Sequence, residues 1–297
     1  MVIAMSLWFA ALSAGSTVTR QKAGNTTMDY DQRQQYVEDI RHALEQNWDG
    51  SPVVLREHAA DKPEELRRDI YAFYWRLGTV SPEPAKRAAV VEFMLDKTVE
   101  ETPTLRGQLL KWLQDFGEED FNQNARLRLN NLPWTSDYCP EVIRLIGIAE
   151  LEDAKPRLIA QVEDDPLPKQ PPPGYEHRNT WVALLALARL GDESALAAVL
   201  GRVQQEKNII TRAPALFYDL GYTRRQAAFD LLKSYLNSDK RLPQTKPTVP
   251  GRLEAAHAAA VFSRFIREFP IQETDFDELQ TYEARNWVNA QSSWQLK

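Results

Sequence analysis

Residues 178–203 constrain the fold more than any other stretch, because they read as two amphipathic helices joined by a tight turn. Apolar side chains recur at the i, i+3, i+4 and i+7 spacing of one helix face. They are Trp181, Leu184, Leu185 and Ala188 in the first half, and Leu196, Val199, Leu200 and Val203 in the second. Gly191 lies between the halves and can adopt the left-handed conformation that ends a helix, while Asp192 can cap the next helix. The stretch predicts an α-helical hairpin.

The same pattern returns along the chain. Apolar stripes also flank Gly78, Gly117 and Gly221, and one more pair flanks Glu152, where a glutamate replaces the glycine. The junctions fall at 78, 117, 152, 191 and 221, in steps of roughly 30 to 40 residues, which is the range of helical-hairpin repeats. Because two helices alone cannot bury both of their stripes, such hairpins stack on one another. The sequence predicts an all-α fold, an α-solenoid of stacked antiparallel helical hairpins.

A Leu-Gly step, a polar or acidic pair and an alanine-rich helix follow one another at these junctions, and Arg-Leu-Gly occurs at both 76–78 and 189–191. These features resemble the HEAT-repeat family, in particular the short bacterial HEAT-like repeats of the phycobilin-lyase type. The resemblance covers roughly residues 63–237 and is clearest at 180–203. It implies an α-solenoid that binds other proteins, and it implies this fold more firmly than any function.

Residues 30–297 are predicted to form one HEAT-like domain with helical caps at both ends. Tyr36, Ile40 and Leu44 share one face of a predicted N-terminal cap helix, and residues 275–294 are predicted to close the other end. Two proline-rich segments, 163–177 and 242–251, are predicted surface loops, since proline cannot continue a helix.

The N-terminal residues 1–15 resemble a signal peptide. Their apolar run at 2–12 is too short to span a bilayer and is followed by small residues, although no Lys or Arg precedes it. Residues 16–29 are polar and are predicted to be a flexible segment. This interpretation places the mature protein outside the cytoplasm, periplasmic or secreted and without a stable membrane span. Without a functional signal, the protein would be cytoplasmic.

The chain lacks the sequence motifs of common enzyme classes. It contains no G-x-G-x-x-G, G-x-x-x-x-G-K or G-x-S-x-G motif, so phosphate-binding loops and a nucleophile elbow are not indicated. Cys139 is the only cysteine, which excludes an intramolecular disulfide and a multi-cysteine metal site. We therefore predict that the protein is not an enzyme and binds no cofactor.

Two acidic–histidine dipeptides are candidate metal ligands. The deoxyhypusine hydroxylases, which are HEAT-repeat enzymes, bind a di-iron centre through His-Glu dipeptides. This chain has the reversed order at Glu57-His58 and at Glu176-His177, where a solvated histidine beside an acid is the simpler explanation. Acidic runs at 118–120 and 163–165 are explained by helix-start and loop positions. We predict no metal site.

Charge is distributed unevenly and leaves two hypotheses for function. The net charge of −6 argues against a broad nucleic-acid-binding surface, but basic residues exceed acidic ones at 202–252. Tyr222, Arg224, Arg225 and Lys233 are the predicted binding residues there, and the first three could imitate part of the basic groove of HEAT-like DNA glycosylases. The favoured hypothesis is a non-enzymatic scaffold that binds a protein or peptide on a concave surface made by the second helix of each hairpin. The alternative is a nucleic-acid-binding or DNA-repair-type HEAT-like protein.

Overall fold

The structure, a computed structural model, describes residues 28–60, 62–135, 139–168, 174–175, 178–244, 251–272 and 276–297. Within these ranges the regular secondary structure is helical and contains no β-strand, only the isolated bridges Arg241–Leu253 and Ile266–Leu296. The predicted all-α fold is confirmed. No helix in these ranges is long and apolar enough to cross a membrane. The predicted signal peptide and most of the polar segment at 16–29 lie outside the described residues.

The first half of the chain forms helices α1 to α8. Several begin with a proline, whose missing N–H would be unpaired in the first helical turn in any case. Their bounds are α1 Tyr30–Asn47, α2 Pro52–Ala59, α3 Glu64–Val80, α4 Pro84–Glu100, α5 Pro103–Leu113, α6 Gln123–Asn131, α7 Cys139–Ile148 and α8 Lys155–Asp164.

The second half forms helices α9 to α15. Their bounds are α9 Asn179–Arg189, α10 Glu193–Gln205, α11 Ile209–Thr211, α12 Phe217–Tyr222, α13 Gln226–Leu236, α14 Glu254–Phe265 and α15 Glu278–Ala290. A π-helical turn, Arg212–Leu216, joins α11 to α12 and contains Pro214. Proline has no N–H for the usual i→i−4 hydrogen bond, which explains why the α-helical pattern is interrupted at this point.

Helices pack against their chain neighbours and also against helices further along the chain. Neighbour contacts include α3 with α4, α9 with α10, and α13 with α14. A second series joins α3 to α5, α5 to α7, α7 to α9, α9 to α12, and α12 to α14. Helix α9 lies in the middle of this series and is buried from Thr180 to Arg189. A helix that is buried on every side must be apolar nearly all round, as this one is.

The hairpin at 178–203 forms as predicted. Gly191 follows α9 with φ +90°, the left-handed conformation expected for a helix-ending glycine. The Asp192 side chain then accepts a 2.8 Å hydrogen bond from the Ala195 backbone N–H and so caps α10.

Two other junction glycines have a different role from the predicted one. Gly78 and Gly221 lie inside α3 and α12 rather than at helix ends. A Cβ atom at Gly78 would lie 2.9 Å from the Phe116 ring, and one at Gly221 would lie 2.6 Å from the Phe265 ring. These glycines therefore allow aromatic rings to approach a helix backbone closely.

The remaining junctions also differ from the prediction. Gly117 has φ −85° and precedes a short 3₁₀ turn, so it is not left-handed. Glu150, rather than Glu152, has positive φ (50°), and after α12 the positive φ (53°) belongs to Arg224. The hairpins thus share a left-handed residue at the junctions after α7, α9 and α12, but only the middle one is glycine.

Helix α15 packs against α13 and α14, as a closing cap should. Phe276 and Val288 are buried in this contact, whereas Leu279 and Tyr282 are 66% and 59% exposed. Leu279 and Tyr282, two residues of the predicted closing cap at 275–294, therefore lie on the outer face of α15 and do not pack against the other helices.

Candidate functional site

Two tryptophans from neighbouring hairpins stack on each other. The Trp75 ring of α3 and the Trp112 ring of α5 have centroids 5.6 Å apart and an interplanar angle of 12°. Both side chains are packed against the core on one side and remain partly exposed on the other. Partly exposed, stacked aromatic rings are unusual for pure core filling and common at binding surfaces.

A salt bridge connects the residues that follow this aromatic pair to the C-terminal helices. Asp115 follows Trp112 by three residues, and its Oδ1 lies 3.5 Å from Nη2 of Arg264 in α14. The Arg264 guanidinium in turn lies 5.9 Å from the centroid of the Tyr218 ring in α12. We call Trp75, Trp112, Asp115, Arg264 and Tyr218 the inner row.

The inner row contains a contact between elements that are far apart in the packing series. Asp115 follows α5 and Arg264 belongs to α14, although α7, α9 and α12 lie between these helices in the series. A similar contact joins Arg144 of α7 to Asp219 of α12 across α9. Both contacts therefore join elements that are not adjacent in the packing series.

A cluster of buried polar side chains, which we call the central network, lies where α7, α9 and α12 meet. Asp219 is 5% exposed and accepts 2.7 Å hydrogen bonds from Arg144 Nη2 and Trp181 Nε1. The Tyr222 hydroxyl donates a 2.7 Å hydrogen bond to the Arg144 carbonyl, and Arg189 Nη1 donates to the Tyr222 carbonyl at 3.0 Å. The hydrogen bonds among these five residues join α7, α9 and α12.

The electrostatics of the central network follow from burial and pairing. Burial raises the pKa of Tyr222 to about 12, so its phenol stays neutral and remains a hydrogen-bond donor. Burial acts to lower the pKa of Arg144, but the Asp219 carboxylate outweighs it and the pKa is raised. Burial lowers the pKa of Arg189. The network therefore serves to hold the helices together.

A pair of carboxylates lies beside this network. Burial raises the pKa of Glu150, and the neighbouring Glu118 carboxylate raises it further. The positive charges of Arg189 and Arg224 act in the opposite direction without cancelling the rise. The two glutamates therefore face a mixed rather than a purely acidic environment.

The predicted binding residues Tyr222, Arg224 and Arg225 lie together at the junction of α12 and α13. Tyr222 is buried in the central network, Arg224 is partly exposed, and Arg225 forms an ion pair with Glu193. A binding role for Arg224 and Arg225 stays a prediction, whereas the Tyr222 ring is covered by its own chain.

Lys233, the fourth predicted binding residue, lies apart from the other three. Its Nζ donates a 3.0 Å hydrogen bond to the Gln291 carbonyl and lies 5.7 Å from the Trp294 ring centroid. Lys233 thus contacts the C-terminal segment of its own chain, and the structure does not bring it to the junction of α12 and α13.

Part of the excess of basic residues at 202–252 is neutralised within the chain. Arg212 pairs with Glu254 and Arg202 with Glu206, at Nη2–O distances of 2.5 and 2.9 Å, and Arg241 pairs with Glu278. These pairs reduce the positive surface that the sequence predicts at this end of the molecule.

No protein-family model, curated protein or solved structure matches this chain. The resemblance to HEAT repeats therefore stays a prediction. The function has to be inferred from the geometry of the described residues.

Within the described ranges, no group of three or more His, Cys, Asp or Glu side chains is placed to hold a metal ion. His58 is half-buried at the end of α2, where burial lowers its pKa, and Glu176-His177 lies outside the described residues. In the acidic run at 118–120, the Asp120 side chain is buried, and its Oδ1 lies 2.6 Å from Nε of Arg87. Asp120 therefore stabilises the fold through an ion pair and is not a solvent-exposed charge.

Sequence reasoning missed the inner row. Trp75 has no place in the apolar stripe of its helix, which runs through Leu66, Ile70 and Tyr74, so the helical spacing does not single it out. A large aromatic residue beside rather than within such a stripe is the signal that could have identified it.

Proposed function

We propose that this protein is a non-enzymatic binding scaffold that uses the inner row to contact a protein or peptide partner. The observation that carries the proposal is the clustering of partly exposed Trp, Tyr and Arg side chains on one face. These three residue types are enriched among the side chains that contribute most to protein–protein binding energy. Arg264 is well suited to such a contact, because its side chain is 51% exposed and its ion pair with Asp115 is long.

The scaffold would be a HEAT-like α-solenoid in which α3, α5, α7, α12 and α14 contribute the inner side. The packing series and the contacts that bypass α9 support this arrangement. It differs from the sequence-based expectation that the second helices form the concave surface. On the second helices, the ion pair Arg56–Asp96 joins α2 to α4, and the ion pair Arg128–Asp96 joins α4 to α6. Both pairs join helices that pack directly on each other, so they give no sign that the stack curves towards the second helices.

Nucleic-acid binding is the second candidate. Aromatic side chains beside arginines can stack on unpaired bases, which favours it. The net charge of −6 and the internal pairing of the basic residues at 202–252 oppose it. We therefore favour a protein or peptide partner.

A peptide-library selection tests the proposal. Peptides selected on the immobilised protein would be labelled and their affinity measured by fluorescence anisotropy. Trp112→Ala should weaken binding by about tenfold or more, because it removes a central aromatic contact. Tyr282→Ala, at an exposed tyrosine on the outer face of α15, is the matched control and should leave the affinity unchanged.

Two results would contradict the proposal. One is the selection of peptides whose affinity is insensitive to Trp112→Ala. The other is a failure to select any peptide together with salt-dependent binding of single-stranded or duplex DNA, which would favour the second candidate.

A further inference from the structure

Three exposed cations lie on the helices of the two stacked tryptophans, and one exposed acid, Asp115 of the inner row, follows Trp112 by three residues. Arg68 and Arg76 of α3 and Lys111 of α5 are all exposed, and α5 contains no acidic residue. In the ion contact of Arg68, its Nε lies 3.8 Å from Oδ1 of Asp69. By contrast, Arg202 and Arg212 are held in closer ion pairs, at 2.9 and 2.5 Å.

Helix geometry places these cations around the aromatic pair. Arg68 precedes Trp75 by seven residues, so the two lie two turns apart on one face of α3. Arg76 and Lys111 are the direct neighbours in sequence of the stacked tryptophans, and both are exposed. We call Trp75, Trp112, Arg68, Arg76 and Lys111 the basic–aromatic patch.

The patch also has free space beside it. A Cβ atom at Gly107 would meet no other atom within 4 Å, and Gly107 lies one turn before Lys111 on the same face of α5. A ligand on the tryptophan rings can therefore extend along α5 past Lys111 without meeting a side chain at position 107.

We propose that the basic–aromatic patch binds an acidic, proline-containing peptide segment of a partner protein. This inference rests on the proposed scaffold function and names the chemistry of its partner. Proline rings pack on flat aromatic side chains, and extended proline-containing segments lose little conformational entropy on binding. Carboxylates spaced along such a segment complement the three cations, in a protein whose net charge of −6 otherwise repels acidic ligands.

The number of cations favours a peptide over a nucleic acid. Three basic side chains match a few carboxylates, whereas binding to a continuous polyanion usually depends on six or more phosphate contacts, about the number made by typical DNA-binding proteins. The acidic remainder of the surface would repel the flanking phosphates.

Labelled synthetic peptides test the inference by fluorescence anisotropy on the full chain. The probes are six Glu-Pro repeats, six Gln-Pro repeats and six Lys-Pro repeats, with a twelve-nucleotide oligothymidylate as the nucleic-acid probe. We expect the Glu-Pro peptide to bind most tightly and its affinity to fall with rising salt, since its contacts include exposed ion pairs.

Matched charge reversals locate the site. Arg76→Glu/Lys111→Glu should weaken binding of the Glu-Pro peptide by about tenfold or more, because it replaces two attractions by two repulsions. Lys207→Glu/Lys240→Glu changes the net charge by the same amount at two exposed lysines on other elements and should have little effect. Unchanged circular dichroism and thermal midpoints would show that each variant folds.

The outcomes separate this inference from the scaffold proposal. Equal loss of Glu-Pro binding in both double variants, or no binding of this peptide, overturns the acidic-partner inference. If the Gln-Pro or Lys-Pro peptide then binds in a manner sensitive to Trp112→Ala, the scaffold proposal survives. Binding of the oligothymidylate alone, with loss in Arg76→Glu/Lys111→Glu, overturns both.

Discussion

Gly147 of α7 leaves the space that the Tyr222 hydroxyl group of α12 occupies. A Cβ atom at position 147 would overlap this oxygen and would also lie only 3.3 Å from the Ala186 Cα of α9. The absence of a side chain at 147 lets the Tyr222 hydroxyl reach the Arg144 carbonyl at 2.7 Å. Three helices therefore meet at one glycine.

Gly147→Ala should destabilise the protein by about 1–3 kcal/mol, the usual cost of forcing an extra methyl group into a packed core. The free energy of unfolding in urea measures this effect. Gly107→Ala is the matched control, because position 107 is also helical but has open space around it. It should stabilise the protein by up to about 1 kcal/mol through helix propensity alone. Equal stability of the two variants would contradict the packing at Gly147.

Gly191→Ala should also destabilise, but through the backbone. Gly191 has φ +90°, and its nearest neighbour, Arg225 Nη1, would lie 3.4 Å from an added Cβ. The expected cost is therefore the backbone penalty of roughly 1–2 kcal/mol for a left-handed alanine. Gly201→Ala, within α10 and with open space around it, is the control and should not destabilise. A destabilised Gly201→Ala beside a neutral Gly191→Ala would show that the hairpin register is wrong.

Glu254→Gln should be costly because it leaves a buried arginine without its counter-ion. The Arg212 and Glu254 side chains are 8% and 1% exposed, and Arg212 Nε donates to Glu254 Oε1 at 2.7 Å. Removing one partner of a buried pair costs about 3–5 kcal/mol. Glu278→Gln breaks the exposed pair with Arg241 and should cost less than about 1 kcal/mol. Chemical denaturation distinguishes the two, and similar losses would contradict the burial of Arg212.

Glu150→Gln should change how stability depends on pH. Because the folded-state pKa of Glu150 is raised above its ordinary value of 4.5, the folded state binds this proton more tightly than the unfolded state. Its stabilising contribution is full below pH 4.5 and is lost as the pH rises through the raised folded pKa. The variant should gain stability relative to wild type over this window, with Glu118→Gln acting in the same direction. Thermal midpoints measured across the window test this, and parallel curves for wild type and variant would contradict it.

Local sequence signals predicted the helices well but identified their junctions only in part. The spacing of apolar residues located α9 and α10, and the residue types at Gly191 and Asp192 correctly indicated the turn and cap between them. The same reasoning failed at Gly78 and Gly221, because a glycine that admits an aromatic ring looks the same in sequence as one that ends a helix. It also could not identify Glu150 or Arg224 as left-handed, since neither residue type favours that conformation.

The inner row depends on contacts that local patterns do not encode. Asp115 and Arg264 are far apart in sequence, and their approach depends on how all the helices between them pack. The local signals, namely periodicity, caps and charge runs, indicate basic residues at 222–225 instead. Arg225 is now seen to pair with Glu193, which sequence alone does not reveal.

The tryptophan indole N–H signals provide the most direct test of binding at the inner row. Titration of the ¹⁵N-labelled protein with the Glu-Pro peptide would be followed by two-dimensional ¹H–¹⁵N NMR, with signals assigned through Trp→Phe variants. We expect the Nε1–H resonances of Trp75 and Trp112 to shift with peptide concentration. The Trp181 resonance should stay in place, because its N–H is bound to Asp219 within the core. Shifts confined to other tryptophans, or no shift at Trp75 and Trp112 at saturating peptide, would contradict binding at this surface.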